Sequence, residues 1–159
     1  MDEKTNDSGA VQHGSFTIER NFDAPVATVF RAWADRNAKA RWFVGPAGWK
    51  EEIRDQDFRV GGHDRLKGTH PSGIVSDFQA EYRDIVPNKR IVYVYDMHVA
   101  GRKISVSLAT ITFEASGRGT RMTLTEQGAF LDGYDDAGGR ERGTNQLMDQ
   151  LAASLGAMS

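Results

Sequence analysis

The last long segment of the chain, Gly138 to Leu155, has the clearest helical periodicity in the sequence. Its apolar residues recur three and four positions apart, which places them on one face of an α-helix. They are Leu147, Met148, Leu151, Ala152 and Leu155. A helix with a single apolar stripe needs an apolar surface to cover, so the rest of the chain must supply that surface.

The segment from Phe16 to Gln127 consists of short stretches in which apolar and polar residues alternate, separated by turn residues. This alternation is typical of antiparallel strands with one buried face. The predicted strands cover residues 15–22, 49–55, 58–66, 74–86, 90–98, 102–114 and 120–127. The sequence therefore predicts an α+β fold, in which an antiparallel sheet of about seven strands packs on a long C-terminal helix.

Two short helices are predicted directly after the first strand. Asp23 is positioned to cap the first helix, and Pro25 fits its first turn, where the missing N–H of proline leaves no hydrogen bond unmade. The apolar residues of the two helices are Val26, Val29, Phe30, Trp33, Ala38, Trp42 and Phe43. Gly45-Pro46 ends the second helix.

Three of the predicted strands have irregular patterns. The Gly61-Gly62 pair predicts a bend or bulge in strand 58–66. In strand 102–114 the alternation changes phase near Ala109-Thr110, which we interpret as a bulge. Strand 90–98 is apolar on both faces, so we expect it in the middle of the sheet with cover on both sides. Which of its faces points inward stays open at this stage.

Composition limits the possible functions. A chain of 159 residues is expected to form one domain, here residues 15–159, preceded by a polar and mobile tail at residues 1–14. The net charge of −2 provides no broad positive field, so nucleic acid is not an expected partner. The absence of cysteine excludes thiol catalysis and disulfides. No segment has the pattern of a membrane span or a signal peptide, so we expect a cytoplasmic protein without membrane insertion.

Asp64 is the polar residue whose predicted position fits its chemistry least. It shares the phase of Val60 and Leu66, so it points into the apolar interior unless the glycine pair shifts the register. An unpaired charge there is costly, and the carboxyl group would pair or take up a proton. A buried anchor of this kind predicts that replacing Asp64 preserves or raises stability. The alternative is that a bulge turns Asp64 to solvent or that an arginine pairs with it.

Other side chains also combine apolar and polar groups. Three tyrosines each offer a ring and a hydroxyl group, and Glu126 shares the apolar phase of its strand. The candidate ligand-binding residues are Asp64, Leu66, Phe78, Tyr82, Tyr93, Tyr95, Glu126, Leu147 and Leu151. The four histidines lack the spacing of metal ligands, so neither a metal site nor a cofactor is predicted, and no catalytic residue is assigned.

Several junctions, taken in order, resemble one protein family. They are Phe22-Asp23-Ala24-Pro25 with Val29-Phe30, Trp42-Phe43 with Gly45-Pro46, Gly61-Gly62, Pro87-Asn88-Lys89-Arg90, and Thr112-Phe113-Glu114 with the stretch from Gly119 to Glu126. The chain resembles the activator of heat-shock protein 90 ATPase homologue-like group of the START-like (SRPBCC, birch-pollen-allergen-like) superfamily. The resemblance implies a helix-grip fold, in which a curved sheet wraps the long helix around a cavity. The long helix of the family usually carries Gly-Trp near its start, whereas here Thr144 follows Gly143.

Three functions are compatible with this resemblance, because the fold does not determine the function. The first is the binding of an apolar or aromatic small molecule in the cavity between sheet and helix. The second is an enzyme of the cyclase or hydrolase type that uses the same pocket, with Asp64, His63 or a tyrosine as acid or base. The third, suggested by the name of the group, is interaction with a chaperone in the stress response.

Overall fold

The structure is a computed structural model that describes residues 8–157. Its elements in chain order are β1 (Val11–Phe22), α1 (Val26–Ala34), α2 (Arg36–Lys39), β2 (Lys50–Gln56), β3 (His63–Thr69), β4 (Val75–Val86), β5 (Arg90–Val99), β6 (Arg102–Ser116), β7 (Gly119–Leu131) and α3 (Ala137–Ala157). This is the predicted α+β architecture, with a long C-terminal helix and two short helices after the first strand. In the part of the chain that the structure describes, no helix is both long and apolar enough to cross a membrane.

One antiparallel sheet contains all seven strands, in the order β1-β7-β6-β5-β4-β3-β2. The first two strands of the chain therefore form its opposite edges, and α1 and α2 connect them. The register shifts at three places: in β2 between Glu51 and Ile53, in β4 between Tyr82 and Asp84, and in β5 between Met97 and His98. Such bulges bend a strand and increase its twist, which helps the sheet to curve around α3.

The irregularity of β6 lies elsewhere than predicted. The pairing of β5 with β6 is regular at Ala109 and Thr110 and shifts instead near Ile104, between the partners of Met97 and His98. The buried phase of Ile111 continues through Ala109, Ser107 and Ser105, while Val106 and Leu108 are exposed on the other face. The predicted bulge was wrong because two buried serines carry the inward phase, and their polarity conceals it in the sequence.

The Gly61-Gly62 pair forms a bend, as predicted, but it precedes β3 and does not lie within it. Gly61 has a φ of 84°, and the two glycines pair with both backbone groups of Tyr82. The predicted strand 58–66 is therefore corrected to His63–Thr69, and Val60 is 56% exposed in the turn. Since the strand starts after the bend, Asp64 takes the inward phase with Leu66.

The short helices begin differently from the prediction. Pro25 is the N-cap residue of α1, and no side chain caps this helix, so the capping role predicted for Asp23 is wrong. Asp35 instead caps α2, where its carboxylate accepts a hydrogen bond from the amide of Ala38 at 2.9 Å. Helix α2 ends at Lys39.

The tail predicted for residues 1–14 reaches too far into the chain. Val11 pairs with Leu131 and Gly14 with Gly128, so β1 starts at Val11 and β7 extends into the segment predicted as a loop. A polar sequence gives no alternation signal, and only the partner strand shows that this stretch is extended. Residues 1–7 lie outside the described residues.

Strand β5 lies in the middle of the sheet, between β4 and β6, as predicted. Ile91, Tyr93 and Tyr95 form its buried face. Val92 and Val94 on the opposite face are half-buried, so the cover expected on both sides is complete on one side only.

Helix α3 covers the sheet with the predicted stripe. Met148, Leu151 and Leu155 are buried in the core, and Leu147 is partly buried against it. Ala152, predicted beside the stripe, is exposed. The helix begins one residue earlier than predicted, and the carboxylate of Asp136 accepts a hydrogen bond from the amide of Gly139 at 2.7 Å. An aspartate at this end also interacts favourably with the helix dipole.

We predict that Leu151→Ala lowers the free energy of unfolding by about 2–5 kcal/mol, because it removes a fully buried side chain and leaves a cavity. Ala152→Ser, on the exposed face of the same turn, should change it by less than about 1 kcal/mol. Urea denaturation followed by circular dichroism measures both. Equal losses for the two variants would show that the stripe does not face the sheet.

Candidate functional site

A cavity of about 760 Å³ lies between the sheet, α3 and the segment that follows α2. Strands β3, β4, β5 and β7 contribute to its wall through inward side chains such as Leu66, Phe78 and Leu124. Helix α3 closes the opposite side with Thr144 and Leu147. The first half of α3 thus faces an open space, whereas Leu151 and Leu155 in the second half are packed in the core.

Aromatic rings form much of the cavity wall. Phe78 is central: its ring centroid lies 5.0 Å from that of Phe43 and 4.8 Å from that of Tyr95. Trp33 and Trp42 contact each other edge to face, with centroids 4.8 Å apart. Rings in such arrangements attract each other through their quadrupoles.

Trp49 extends the aromatic wall between two glycines. A Cβ atom at Gly45 or Gly68 would overlap the indole ring, so only glycine permits this close approach. The ring of His70 lies beside the indole, with centroids 6.5 Å apart. The glycine in β3, which interrupts the alternation of that strand, is therefore explained by the position of Trp49 in the wall.

Asp64 is buried and forms an ion pair with Lys39. Lys39 is 3% exposed and Asp64 4%, and the ammonium group donates a short hydrogen bond to Asp64 Oδ2. The hydroxyl group of Tyr82 donates to the same oxygen at 2.9 Å and accepts a hydrogen bond from Gln56 at 3.0 Å. Burial, together with the charge of Asp64, raises the pKa of Tyr82, so its hydroxyl group keeps its proton.

This pair corrects two expectations about Asp64. Its partner is a lysine rather than an arginine, and the side chain is buried rather than turned to solvent by a bulge. Because Lys39 would lose its counter-ion, replacing Asp64 alone should now lower stability.

Lys39 presents its ammonium group to the cavity among aromatic rings. Its Nζ atom lies 4.7 Å from the ring centroid of Phe43, 5.8 Å from that of Trp33 and 5.9 Å from that of Tyr93. Cation–π attraction offsets part of the desolvation of the ammonium group. Sequence analysis missed Lys39, since it belongs to a polar four-residue helix. The only signal was the need of Asp64 for a cationic partner.

A second buried polar group joins β5, β7 and α3. Tyr95 donates a hydrogen bond to Glu126 Oε1 at 2.6 Å and accepts one from Arg140 Nη1 at 2.8 Å. The same nitrogen of Arg140 lies 3.8 Å from Glu126 Oε1, and Nη2 donates to Ser105 at 2.7 Å and to Asp135 at 3.3 Å. Tyr95, Glu126 and Arg140 all line the cavity.

Burial and hydrogen bonding act in opposite directions on Glu126. Burial raises its pKa, while the hydrogen bond from Tyr95 and the charge of Arg140 lower it, and the net direction is upward. Burial also raises the pKa of Tyr95, and the charge of Glu126 acts in the same direction. Arg140 was missed by sequence analysis because it lies off the apolar stripe. The inward phase of Glu126 was the only indication that a cation faces it.

The structure brings most of the candidate ligand-binding residues to the cavity. Those that line it are Leu66, Phe78, Tyr93, Tyr95, Glu126 and Leu147. Asp64, Tyr82 and Leu151 are buried but do not line it. A role of any of these residues in ligand binding stays a prediction. Thr144 is 7% exposed and lines the cavity at the position where the family usually has tryptophan.

The remaining polar candidates lie outside the cavity. His63 is exposed in β3 and its Nε2 atom lies 2.7 Å from Asp55 on the neighbouring strand. Within residues 8–157, no group of three or more His, Asp or Glu side chains could hold a metal ion.

The curved sheet, the long helix across it and the cavity between them define a helix-grip domain. The family model described as Activator of Hsp90 ATPase homolog 1-like protein matches residues 23–156. The chain belongs to this family, which is a group of the START-like superfamily. The match confirms the resemblance found from the sequence, and the fold is one that supports ligand binding.

Solved structures support the same assignment. A protein from Rhizobium leguminosarum is 42% identical with a TM-score of 0.89, and the match covers 93% of this chain and 97% of that chain. A protein from Rhizobium loti is 43% identical with a TM-score of 0.82, covering 91% and 99%. The AHSA1-like protein from Aeromonas hydrophila, 19% identical with a TM-score of 0.72, covers 91% and 94% and shows the fold alone. No curated protein matches the chain.

We predict that Asp64→Asn and Lys39→Met each lower the free energy of unfolding by about 3–5 kcal/mol, because each leaves a buried charge without its partner. The double variant removes both charges and should lose much less than the sum of the two single losses. Chemical denaturation of all four proteins gives the coupling energy. Additive losses would mean that the two groups do not interact.

We predict opposite pH dependences for Glu126 and Asp77. The folded protein holds the proton of Glu126 above its ordinary pKa of 4.5, so the stability contributed by this group falls as pH rises from there. For Asp77, burial raises the pKa, but hydrogen bonds from Arg65 and Gln79 lower it below 3.8 overall. The contribution of Asp77 is therefore present above pH 3.8 and is lost as pH falls through its lowered pKa.

Denaturation of the wild type, Glu126→Gln and Asp77→Asn between about pH 3 and pH 7 measures this difference. The stability of the wild type minus that of Glu126→Gln should decline with rising pH, and the corresponding difference for Asp77→Asn should increase. A rising difference for Glu126 would mean that Tyr95 and Arg140 outweigh burial.

Proposed function

We propose that this protein binds an apolar or aromatic small molecule in the cavity between sheet and α3. The observation that supports the proposal is an aromatic cavity of about 760 Å³ with two buried polar groups in or at its wall. Ligand sites in proteins usually enclose roughly 300–1,000 Å³, with mostly apolar walls and a few polar groups that orient the ligand.

The burial of apolar surface would drive binding. Each Å² of apolar ligand surface removed from water contributes roughly 25 cal/mol, and rings such as Phe78 and Tyr93 offer stacking partners. The polar groups would then select among ligands of similar shape. No cofactor, metal ion or nucleic acid takes part in the proposed function, and we place the protein in the cytoplasm.

The enzymatic alternative has less support. Asp64 is engaged by Lys39 and Tyr82, and His63 is exposed at the start of β3 and does not line the cavity. Burial and the charge of Glu126 both raise the pKa of Tyr93, so its hydroxyl group keeps its proton and cannot accept another one as a base. No contact among the described residues favours a chaperone partner over a ligand.

We predict that filling the cavity abolishes binding. Thr144→Trp introduces an indole ring at a buried position of the cavity wall. It should weaken the binding of Nile red, a neutral apolar fluorophore, by at least about tenfold, since the ring occupies the volume that the probe needs. The wild-type protein should bind the probe with a blue-shifted and enhanced emission.

Ala152→Trp provides the matched control, because it adds the same ring on the exposed face of the same helix. It should bind Nile red like the wild type. Thermal melts establish whether both variants fold. If Thr144→Trp does not fold, Leu147→Phe replaces it as a smaller change that fills part of the cavity. The proposal fails if the wild type does not bind the probe, or if both tryptophan variants weaken binding equally.

A further inference from the structure

Strand β1 forms one edge of the sheet, and half of its backbone groups point away from its neighbour β7. The carbonyl oxygen of Ala10 accepts a hydrogen bond from the amide of Asp132 at 2.8 Å, in register with the next pair, Val11 and Leu131. In an antiparallel ladder, residues that bond to the neighbouring strand alternate with residues whose N–H and C=O groups point to the other side. The even-numbered residues of β1 therefore bond to β7, and the odd-numbered residues from Val11 to Asn21 point to the open edge.

The two edges of the sheet differ in their protection. Five of the seven residues of β2 are charged, its register shifts once, and the guanidinium group of Arg36 donates a hydrogen bond to the carbonyl oxygen of Arg54 at 3.0 Å. Strand β1 has twelve residues, pairs with β7 without a shift and contains neither proline nor lysine. All its odd-numbered residues are exposed. Edges of this length are normally blocked by charges, prolines or bulges, because an open edge pairs with another strand.

Helix α3 approaches β1 from the core side. Its first residue, Ala137, lies so close to Gly14 that a Cβ atom at Gly14 would overlap it, and Asn145 accepts a hydrogen bond from Arg20 at 3.0 Å. Gly14 and Arg20 are even-numbered, like the buried Phe16, so these contacts lie on the buried face of the strand. A further strand would pair in the plane of the sheet, beside the exposed odd-numbered residues.

A second copy of β1 fits this edge along its whole length. Because the odd-numbered residues face the edge, an antiparallel pair of two β1 strands must place odd-numbered residues opposite each other. The register that uses all of them sets Val11 opposite Asn21, with a two-fold axis at Phe16. Six residue pairs then exchange two hydrogen bonds each, about twelve in all, which is the number found in a typical protein interface.

Charge complementarity favours the same register. It sets His13 opposite Glu19 at two symmetric positions and Ser15 opposite Thr17, and it places no like charges opposite each other. Pairs of opposite charge and pairs of hydroxyl side chains stabilise antiparallel strands. A shift by two residues in either direction separates His13 from Glu19 and leaves one end of the edge unpaired. Full pairing of the backbone and matching of the charges therefore select one register.

We propose that two copies of this protein associate through β1 into a two-fold dimer, with Val11 of one copy opposite Asn21 of the other. The dimer has one continuous antiparallel sheet of fourteen strands, seven from each copy. No residue of β1 lines the cavity, so the dimer is independent of the proposed ligand-binding function.

Sedimentation equilibrium and light scattering measure the association. At about 100 μM the wild type should have twice the mass of one chain, and it should dissociate on dilution. Ser15→Pro removes an N–H group that points to the open edge and is not used in the pairing with β7. It should raise the dissociation constant of the dimer by at least about tenfold, and a thermal melt shows whether it folds.

Charge variants test the register at about pH 6, where most histidine is protonated. His13→Glu faces Glu19 with a like charge, and Glu19→Lys does the same to His13, so each should weaken association about tenfold. The double variant His13→Glu/Glu19→Lys exchanges the charges and should restore association. Glu81→Lys is the matched control, because it makes the same charge change at an exposed position of β4 and should leave the dissociation constant unchanged.

Three results would overturn the proposal. A wild type that stays monomeric at about 100 μM excludes a second copy as the partner and leaves the edge to an extended segment of another protein. A dimer that a folded Ser15→Pro leaves unchanged has its interface elsewhere. A double charge variant as weak as the two single variants contradicts the register. If Ser15→Pro does not fold, the charge variants decide.

Discussion

The structure depends on how α3 lies across the sheet. Leu151 and Leu155 in its second half are buried in the core, whereas Arg140, Thr144 and Leu147 in its first half face a cavity. A helix packed closely along its whole length would leave no room for a ligand. One firmly packed end allows the rest of a rigid helix to span an open space, because α-helices bend little over a few turns. The gap is therefore a consequence of uneven packing along one helix.

Two buried polar clusters lie at this cavity. Lys39 lies in the aromatic wall and forms an ion pair with Asp64, which is buried behind that wall. Glu126 and Arg140 form the second cluster around the hydroxyl group of Tyr95. Buried ion pairs often add no stability relative to well-packed apolar residues, so their presence fits the proposed role of this cavity as a ligand site. Each cluster also ties helical residues to strands that are distant in sequence.

Sequence periodicity predicted which residues face inward, but it did not predict which residues they contact. Alternation placed Glu126 on the buried face, and Asp64 as well unless the glycine pair shifted the register, and both residues are buried. Their cations, Arg140 and Lys39, belong to polar stretches of helices where periodicity carries no information about contacts. Where polar residues occupy inward positions, as at Ser105 and Ser107, alternation even led to a misplaced bulge. Alternation thus located a polar inward residue beside an apolar one, as at Glu126 after Leu124, and failed where two successive inward residues, Ser105 and Ser107, are polar.

The sequence by itself determined the fold class, the long helix with its stripe and the set of strands, because these depend on local periodicity and turn residues. It also determined the family, through motifs at the junctions. Only the tertiary structure decided the size of the cavity, the pairing of Lys39 with Asp64 and the burial of Trp33 without a hydrogen-bond partner among residues 8–157. Lys39 and Asp64 are 25 positions apart, and Arg140 and Tyr95 are 45. Contacts over such separations arise from the way helices cross the sheet, which no local pattern encodes.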